Sequence, residues 1–357
     1  MFTKRRRALI KSAMESGCNV VCAATPQNLF YVTGFWGDGT AVINQDETTL
    51  FTNSLEGERA KLFARNCDVI VSEMGKSLRK MVLDNISPKG KVCFDGVQLP
   101  LQIAIKKVLK KDVIFNPDIF YSIRRIKDET EISALARAGQ IMDGLLSYAL
   151  SLIRPKVSER ELAAELLSKA ISRGCDLPSS PTTQNPIIVA SGPNSSFPHG
   201  NLTDRKFSEG DVVIIDMVIS FEGYIVDTTR TFAVGKVKDE IKDVYEAVKS
   251  AQKKGIKVIK PSVLTGYVDE KVRGTIDGKG YSQFFIHSTG HGVGLDVHES
   301  PSLKIGGKEV LQKKEVVTVE PGIYIPNKFG IRIEDTVLVS NKTVPFTKFS
   351  KEFLTLG

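Results

Sequence analysis

No apolar run in this 357-residue chain approaches the roughly 18 to 20 residues of a membrane-spanning helix. The N-terminal KRRRALIKSAMESG also lacks the uninterrupted apolar stretch of a secretory signal, so no membrane partner and a cytoplasmic location are expected. Cysteine is sparse: Cys18, Cys22, Cys67, Cys93 and Cys175 are odd in number, without CxxC spacing or nearby histidines. That excludes a disulfide scaffold and a zinc ribbon, and the thiols are expected to be reduced packing residues. Repeats and low-complexity segments are absent as well. Hydrophobic residues at 41%, charged residues at 25% and a mean hydropathy of -0.07 exclude wholesale disorder. The excess of 49 basic over 41 acidic residues permits anionic partners, but the only dense basic run is Lys4 to Arg7. An apolar-periodic stretch follows it, so the run reads as the solvated face of a first helix and nucleic acid is not expected as a partner.

Residues 1–122 alternate helical patterns with β-rich runs at Asn19–Ala23, Gly39–Ile43, Asp68–Val71 and Lys91–Phe94, which predicts a small α/β domain. The basic stretch YSIRRIK then leads into a helix opening at Asp128, where Asp128 and Glu131 have capping-box spacing. A boundary at 122/123 is expected, with residues 123–357 as the second domain. A second helix is predicted from Ser158, with Glu161 three residues on, to Gly174. Five prolines between 176 and 200 predict a long irregular loop of the kind that often carries function. A third helix spans about Asp239–Ile259, and from Phe284 the chain reads as strands and turns.

The chemistry concentrates in two stretches. VVIIDMVISFEGYIVDTTRTFAV, from Val212, predicts a hairpin with Asp216 and Asp227 almost symmetric about its turn. EVVTVEPGIYIPNKFGIRIEDTVLV repeats the arrangement, with Glu320 and Glu334 symmetric about Asn327. Carboxylates amid valine and isoleucine are costly to bury unless something positive compensates them. Separate pairing with bases such as Arg230 or Arg332 is one answer. Two divalent cations are the better one, because carboxylates bridge metals and offset one another's charge. His291, in STGHGVGLDVHE, is a fifth donor, and Gly290, Gly292 and Gly294 allow close backbone approach there. Read as a nucleotide loop the stretch fails, since it lacks GxGxxG spacing. Of the four histidines, His287, His291 and His298 cluster beside these glycines, and the remaining one, His199, follows the proline-rich loop.

The segments PHG at Pro198, IIDM, DTTRT, HSTGHGVGLDVHE, EPGIY and IRIEDT together resemble the pita-bread metallopeptidases, which include methionine aminopeptidase, aminopeptidase P and proline dipeptidase. YVTGF at Tyr31 and RRIKDETEI at Arg124 resemble the creatinase and proline-peptidase branch, extending the likeness over nearly the whole chain. The resemblance implies an α/β N-terminal domain and an α+β pita-bread catalytic domain. It implies two metal ions, manganese foremost with cobalt, iron or zinc as alternatives, held by Asp216, Asp227, His291, Glu320 and Glu334. Asp227 and Glu334 would bridge, Glu320 would shuttle a proton, His298 would donate to the oxyanion, His199 would orient substrate and His287 would support the edge. A homodimer is expected from the same resemblance.

The implied reaction is hydrolysis of the Xaa-Pro bond in dipeptides or short peptides with proline at the second position. Action on longer peptides, aminopeptidase action without proline preference, and a non-catalytic peptide- or nucleic-acid-binding scaffold are the alternatives. Relatives restricted to dipeptides tend to carry an arginine shortly after HExP, where HESPSLK here has Ser302. Lys304, Arg332 or an N-terminal residue would then have to anchor the free carboxylate. In the loop GFWGDG, Trp36 and Asp38 are candidate substrate contacts, the indole covering the proline ring, with Trp36 as a core anchor the alternative.

Overall fold

A computed structural model describes residues 1–86, 91–96, 99–109, 113–178 and 186–357, which divide into two compact units, Met1–Arg124 and Arg125–Gly357. The first unit builds a sheet from β1 (Cys18–Ala23), β2 (Gly39–Ile43), β3 (Thr48–Thr52), β4 (Asp68–Val71), β5 (Lys91–Phe94) and β6 (Val113–Phe115), in the order β4-β3-β2-β1-β5-β6. Its helices are α1 (Phe2–Glu15), α2 (Pro26–Thr33), α3 (Gly57–Phe63), α4 (Leu78–Asn85), α5 (Leu99–Leu109) and α6 (Asp118–Arg124). The four anticipated strands are present, joined by β3 and β6.

Two expectations for this unit are corrected. The basic run of α1 is not wholly solvated: Arg5 and Arg6 are buried, and they donate to the Tyr31 and Val32 carbonyls of the last turn of α2 at 3.2 and 2.7 Å. Those carbonyls have no partner within their own helix, and a guanidinium satisfies both their hydrogen bonding and the negative end of the helix dipole. Nor are all five thiols reduced. Cys18 and Cys93 face each other from the parallel strands β1 and β5 with Cα atoms 5.9 Å apart, inside bridging range, and form a disulfide, while Cys22, Cys67 and Cys175 are free.

The second unit opens with α7 (Glu129–Leu152) and α8 (Glu159–Ser172), each started by the capping box anticipated at Asp128 and at Ser158. The 176–200 stretch is more regular than its prolines suggest, since it contains β7 (Ile187–Ser191) and a 3₁₀ turn at Gly192–Ser196; residues 179–185, with Pro181, lie outside the described residues. β8 (Val212–Phe221) and β9 (Tyr224–Val234) form the predicted hairpin, followed by α9 (Asp239–Val258) and by α10 (Thr265–Asp277), which was not anticipated. The rest is strand and turn: β10 (Gly290–Gly292), β11 (Glu299–Leu303), β12 (Val316–Val319), β13 (Gly322–Ile325), β14 (Phe329–Arg332), β15 (Asp335–Leu338), β16 (Val344–Pro345) and β17 (Thr355–Leu356).

These strands make two main sheets, β17-β9-β8-β7 and β11-β10-β12-β15-β16, with β13-β14 as a separate ribbon. Leu145, Leu146, Leu162 and Leu166 of α7 and α8 pack on Val189, Val213, Ile215 and Met217. Each such fully buried leucine contributes about 1.5–3 kcal/mol relative to exposure. Val244, Val248, Val272 and Ile276 of α9 and α10 form a second core with Ile323 and Ile331. The helices cover the outer faces of the sheets, and the acidic residues lie where the two sheets meet.

Candidate metal centre

Strand register brings the acids together. On the β8–β9 hairpin Asp216 pairs with Thr229 and Val218 with Asp227, so the two aspartates are diagonal neighbours on one face. In the second hairpin Val319 pairs with Asp335 and Gly322 with Arg332. Glu320 and Glu334 fall between those two paired blocks, where the ladder breaks. The halves are stitched sideways by the Glu334 amide to the Thr229 carbonyl, 3.1 Å, and by Thr336 Oγ1, which accepts from the Asp227 amide at 3.0 Å and donates to its carbonyl at 2.8 Å. His291 enters from β10. Glycine is needed beside it, because a Cβ on Gly290 would overlap the Thr318 carbonyl and one on Gly292 the Ser300 carbonyl.

Ligand atoms of Asp227, His291 and Glu334 lie within 4.8 Å of one another. Asp227 and Glu334 are buried, at 6% and 2% exposure. Oδ1 of Asp216, Oδ1 of Asp227 and Oε1 of Glu334 are buried without any hydrogen-bonding partner, a loss no stable fold accepts without compensation. Separate pairing with bases fails as the answer. Asp216 takes the Arg332 guanidinium at 2.6 Å, but among the described residues no Lys or Arg forms an ion pair with Asp227, Glu320 or Glu334, and Arg230 pairs with Asp335. Three orphaned oxygens and an imidazole converging on one space fit divalent cations.

The histidine tautomers agree. His291 Nδ1 lies 3.0 Å from the Gly292 carbonyl and must donate to it, which leaves Nε2 facing Glu320 Oε1 at 3.5 Å with its lone pair free for a metal. His287 Nδ1 likewise donates to Ser288 O at 2.8 Å, so its Nε2 accepts from the Tyr324 hydroxyl at 2.9 Å. Tyr324 in turn accepts from Arg332 Nη1 at 2.7 Å, completing a chain from Asp216 through Arg332 and Tyr324 to His287. Arg332, anticipated at the peptide, is 3% exposed and also donates to Thr229 Oγ1 and to the Pro198 carbonyl.

His298 and His199 are exposed. The His298 ring stands 4.3 Å from that of His291, and although the residue is exposed, partial enclosure of its inner edge, followed by the nearby His199, lowers its affinity for a proton. Ser302 pairs with His291 across β10–β11, which puts its side chain on the face of the metal ligands. In the first unit the Trp36 indole is 43% exposed and meets Phe30 edge-on at 5.2 Å, so it is not a core anchor. Asp38 is exposed and accepts from Asn53 at 2.8 Å. Tyr324 and Thr229, whose hydroxyl donates to Glu334 Oε2 at 2.7 Å, were missed. Neither has a spacing signal, because their role depends on contacts across strands distant in the chain.

Without metal, this cluster makes stability depend on pH. Burial, then the neighbouring carboxylates, holds Asp227 and Glu334 well above the usual carboxylate range, and burial lifts Glu320 to about 8. Burial lowers His287 and His291 to about 4. Below about pH 6.5, the ordinary histidine value, the two histidines and the three acids oppose each other. Above it only the acids matter: the folded chain holds protons that the unfolded chain has lost, so stability falls as pH rises. The melting temperature of metal-stripped protein is expected to drop between about pH 6.5 and the Glu320 value of about 8. Saturating divalent metal should remove that slope. A metal-free melting temperature that stayed level or rose over this window would show that the acids are not mutually destabilising.

Residues 133–341 match the metallopeptidase family M24, and residues 5–126 match the creatinase/prolidase N-terminal domain. The chain is 33% identical over 356 residues to the Xaa-Pro dipeptidase of Pyrococcus furiosus, spanning 98% of this chain and 99% of that one. Among solved structures, the Xaa-Pro dipeptidase from Bacillus anthracis superposes with a TM-score of 0.91 at 31% identity, covering 100% of both chains. The X-Pro aminopeptidase from Thermotoga maritima does so with a TM-score of 0.86 at 29% identity, covering 97% of this chain and 100% of that one. Four carboxylates and an imidazole converging where two sheets meet, on a fold shared end to end with these peptidases, make this chain a member of metallopeptidase family M24, a hydrolase of the pita-bread fold with a creatinase/prolidase N-terminal domain.

Proposed function

We propose that the chain hydrolyses the Xaa-Pro bond at the N-terminus of dipeptides and short peptides, with residues 123–357 as its catalytic domain and 1–122 as the domain before it. The observation that carries the reading is the convergence of Asp227, His291 and Glu334 ligand atoms within 4.8 Å, with exposed His199 and His298 left for substrate. In this reading Asp227 and Glu334 would help hold both of two divalent ions, Asp216 would help hold one, and His291 with Glu320 would help hold the other. Such ions acidify water and clamp a developing oxyanion. Oxygen donors with one imidazole favour manganese, with cobalt, iron and zinc as alternatives.

Glu320, whose proton affinity burial raises, takes the proton from the attacking water and passes it to the leaving nitrogen. His298 donates to the oxyanion and His199 orients the peptide. Arg332 and Tyr324 keep Asp216 and His287 in place, and Arg332 serves the peptide through them. Trp36 and Asp38 are assigned to substrate contact, and a cytoplasmic homodimer is the proposed assembly. Metal analysis of saturated protein, expected to approach two equivalents, tests the ion count, and sedimentation tests the dimer.

Ser302 favours tolerance of longer peptides. A charge-assisted pair with a free carboxylate is worth about 1.5–3 kcal/mol, and serine cannot supply it. The expected preference in kcat/KM for Met-Pro over Met-Pro-Gly is below ~100-fold, equivalent to about 2.7 kcal/mol. Ser302→Arg is expected to raise it. A larger preference in the unaltered enzyme would mean that Lys304 or another group anchors the carboxylate, and absence of cleavage at any Xaa-Pro bond would overturn the reading itself.

A further inference from the structure

We propose that Glu159, whose carboxylate bonds to no member of the metal cluster, is the positioning residue that sets where His199 stands. The inference rests on the part of the proposed function that gives His199 to the substrate.

A glutamate in the first turn of a helix ordinarily faces water, where it favours the helix dipole. Glu159 opens α8 and is 0% exposed. Its Oε1 accepts from the Ser191 amide at 2.7 Å and the Ser191 hydroxyl at 2.8 Å. Its Oε2 accepts from Asn194 Nδ2 at 2.9 Å, the Thr203 amide at 3.2 Å and the Thr203 hydroxyl at 2.6 Å. All five donors belong to the segment 191–203, which carries His199, and they sit at its two ends. One buried carboxylate therefore closes the segment into a loop.

The other side of that loop is held by the β13–β14 ribbon. The Gly330 amide donates to Ser195 Oγ at 2.8 Å, and Arg332 Nη1 donates to the Pro198 carbonyl at 3.0 Å, one residue before His199. His199 is itself exposed and lies outside helix and strand. Its place is set by the backbone, and the backbone is suspended between Glu159 and Arg332. Small errors in such placement are costly, since about 1 Å of displacement can lower a rate by about 10²-fold.

Glu159→Gln keeps the shape but turns an amide toward donors, so Oε2 contacts become donor against donor. Two measurements are decisive. In metal-free protein, amide hydrogen exchange over 192–203 should accelerate while exchange in α7 and β9 stays unchanged. In metal-loaded protein, kcat/KM should fall by about 10- to 100-fold with metal content unaltered, and Glu159→Gln combined with His199→Ala should be no worse than His199→Ala alone. Unaltered exchange in 192–203, or losses that multiply in the double variant, would overturn the proposal. His199→Ala with full activity would instead remove His199 from the proposed function, while the exchange measurement still decides whether Glu159 holds the segment. If Glu159→Gln does not fold, Thr203→Val removes one donor and is read in the same two ways.

Discussion

Asp227→Ala is expected to lower hydrolysis by at least about 10³-fold, equivalent to about 4 kcal/mol of transition-state stabilisation. The residue is buried on β9 with Oδ1 orphaned, and its ligand atoms converge with those of His291 and Glu334. In the proposed reading this carboxylate would help hold two ions, and its loss would remove a donor from both, so bound metal should fall with activity. Asp227→Asn separates ligand loss from damage to the fold. It keeps the volume but removes one of the like charges facing Glu334, Asp216 and Glu320, so without metal it should melt higher than the metal-free parent. Full hydrolysis by Asp227→Ala in metal-saturated buffer would sink the metal-cluster reading. An Asp227→Asn chain that melted lower without metal would show that the acids are not repelling one another.

His298→Ala is expected to reduce turnover by about 10²–10³-fold, the usual cost of removing an oxyanion donor, with metal content unchanged. Its ring is exposed and stands beside His291, whose Nε2 is the nitrogen left free for a metal. A solvent-facing ring next to the half-buried His291 is well placed to meet substrate. Loss of a bound ion in the variant would instead make His298 a ligand. The contrast with His287 is instructive, because both of its nitrogens are occupied, by Ser288 and by Tyr324, and it has no lone pair left for a metal.

The acidic pairs were legible because a hairpin is local. Asp216 and Asp227 are nearly symmetric about one turn and Glu320 and Glu334 about another, and alternation with turn residues suffices to place such residues near each other on the two arms of a hairpin. The two capping boxes were legible for the same reason, each lying within four consecutive residues. The 176–200 stretch was misread because its prolines hide a strand completed by β8, a partner more than twenty residues away. Arg5 and Arg6 were misread because charge alone does not say which carbonyls another helix will leave unpaired.

Spacing along one strand or one turn reveals which acids are paired, which histidines stand among glycines and where the two capped helices begin. Long-range contacts alone place the two acidic hairpins side by side, give Asp216 to Arg332 while three carboxylate oxygens are left without a partner, and tie Glu159 to the segment bearing His199. These depend on contacts between residues up to about a hundred or more positions apart, such as Arg332 with Asp216 and Thr336 with Asp227. No local propensity encodes them, because they follow from how the sheets bury their apolar faces under the helices and from the need to satisfy every polar group trapped in that burial.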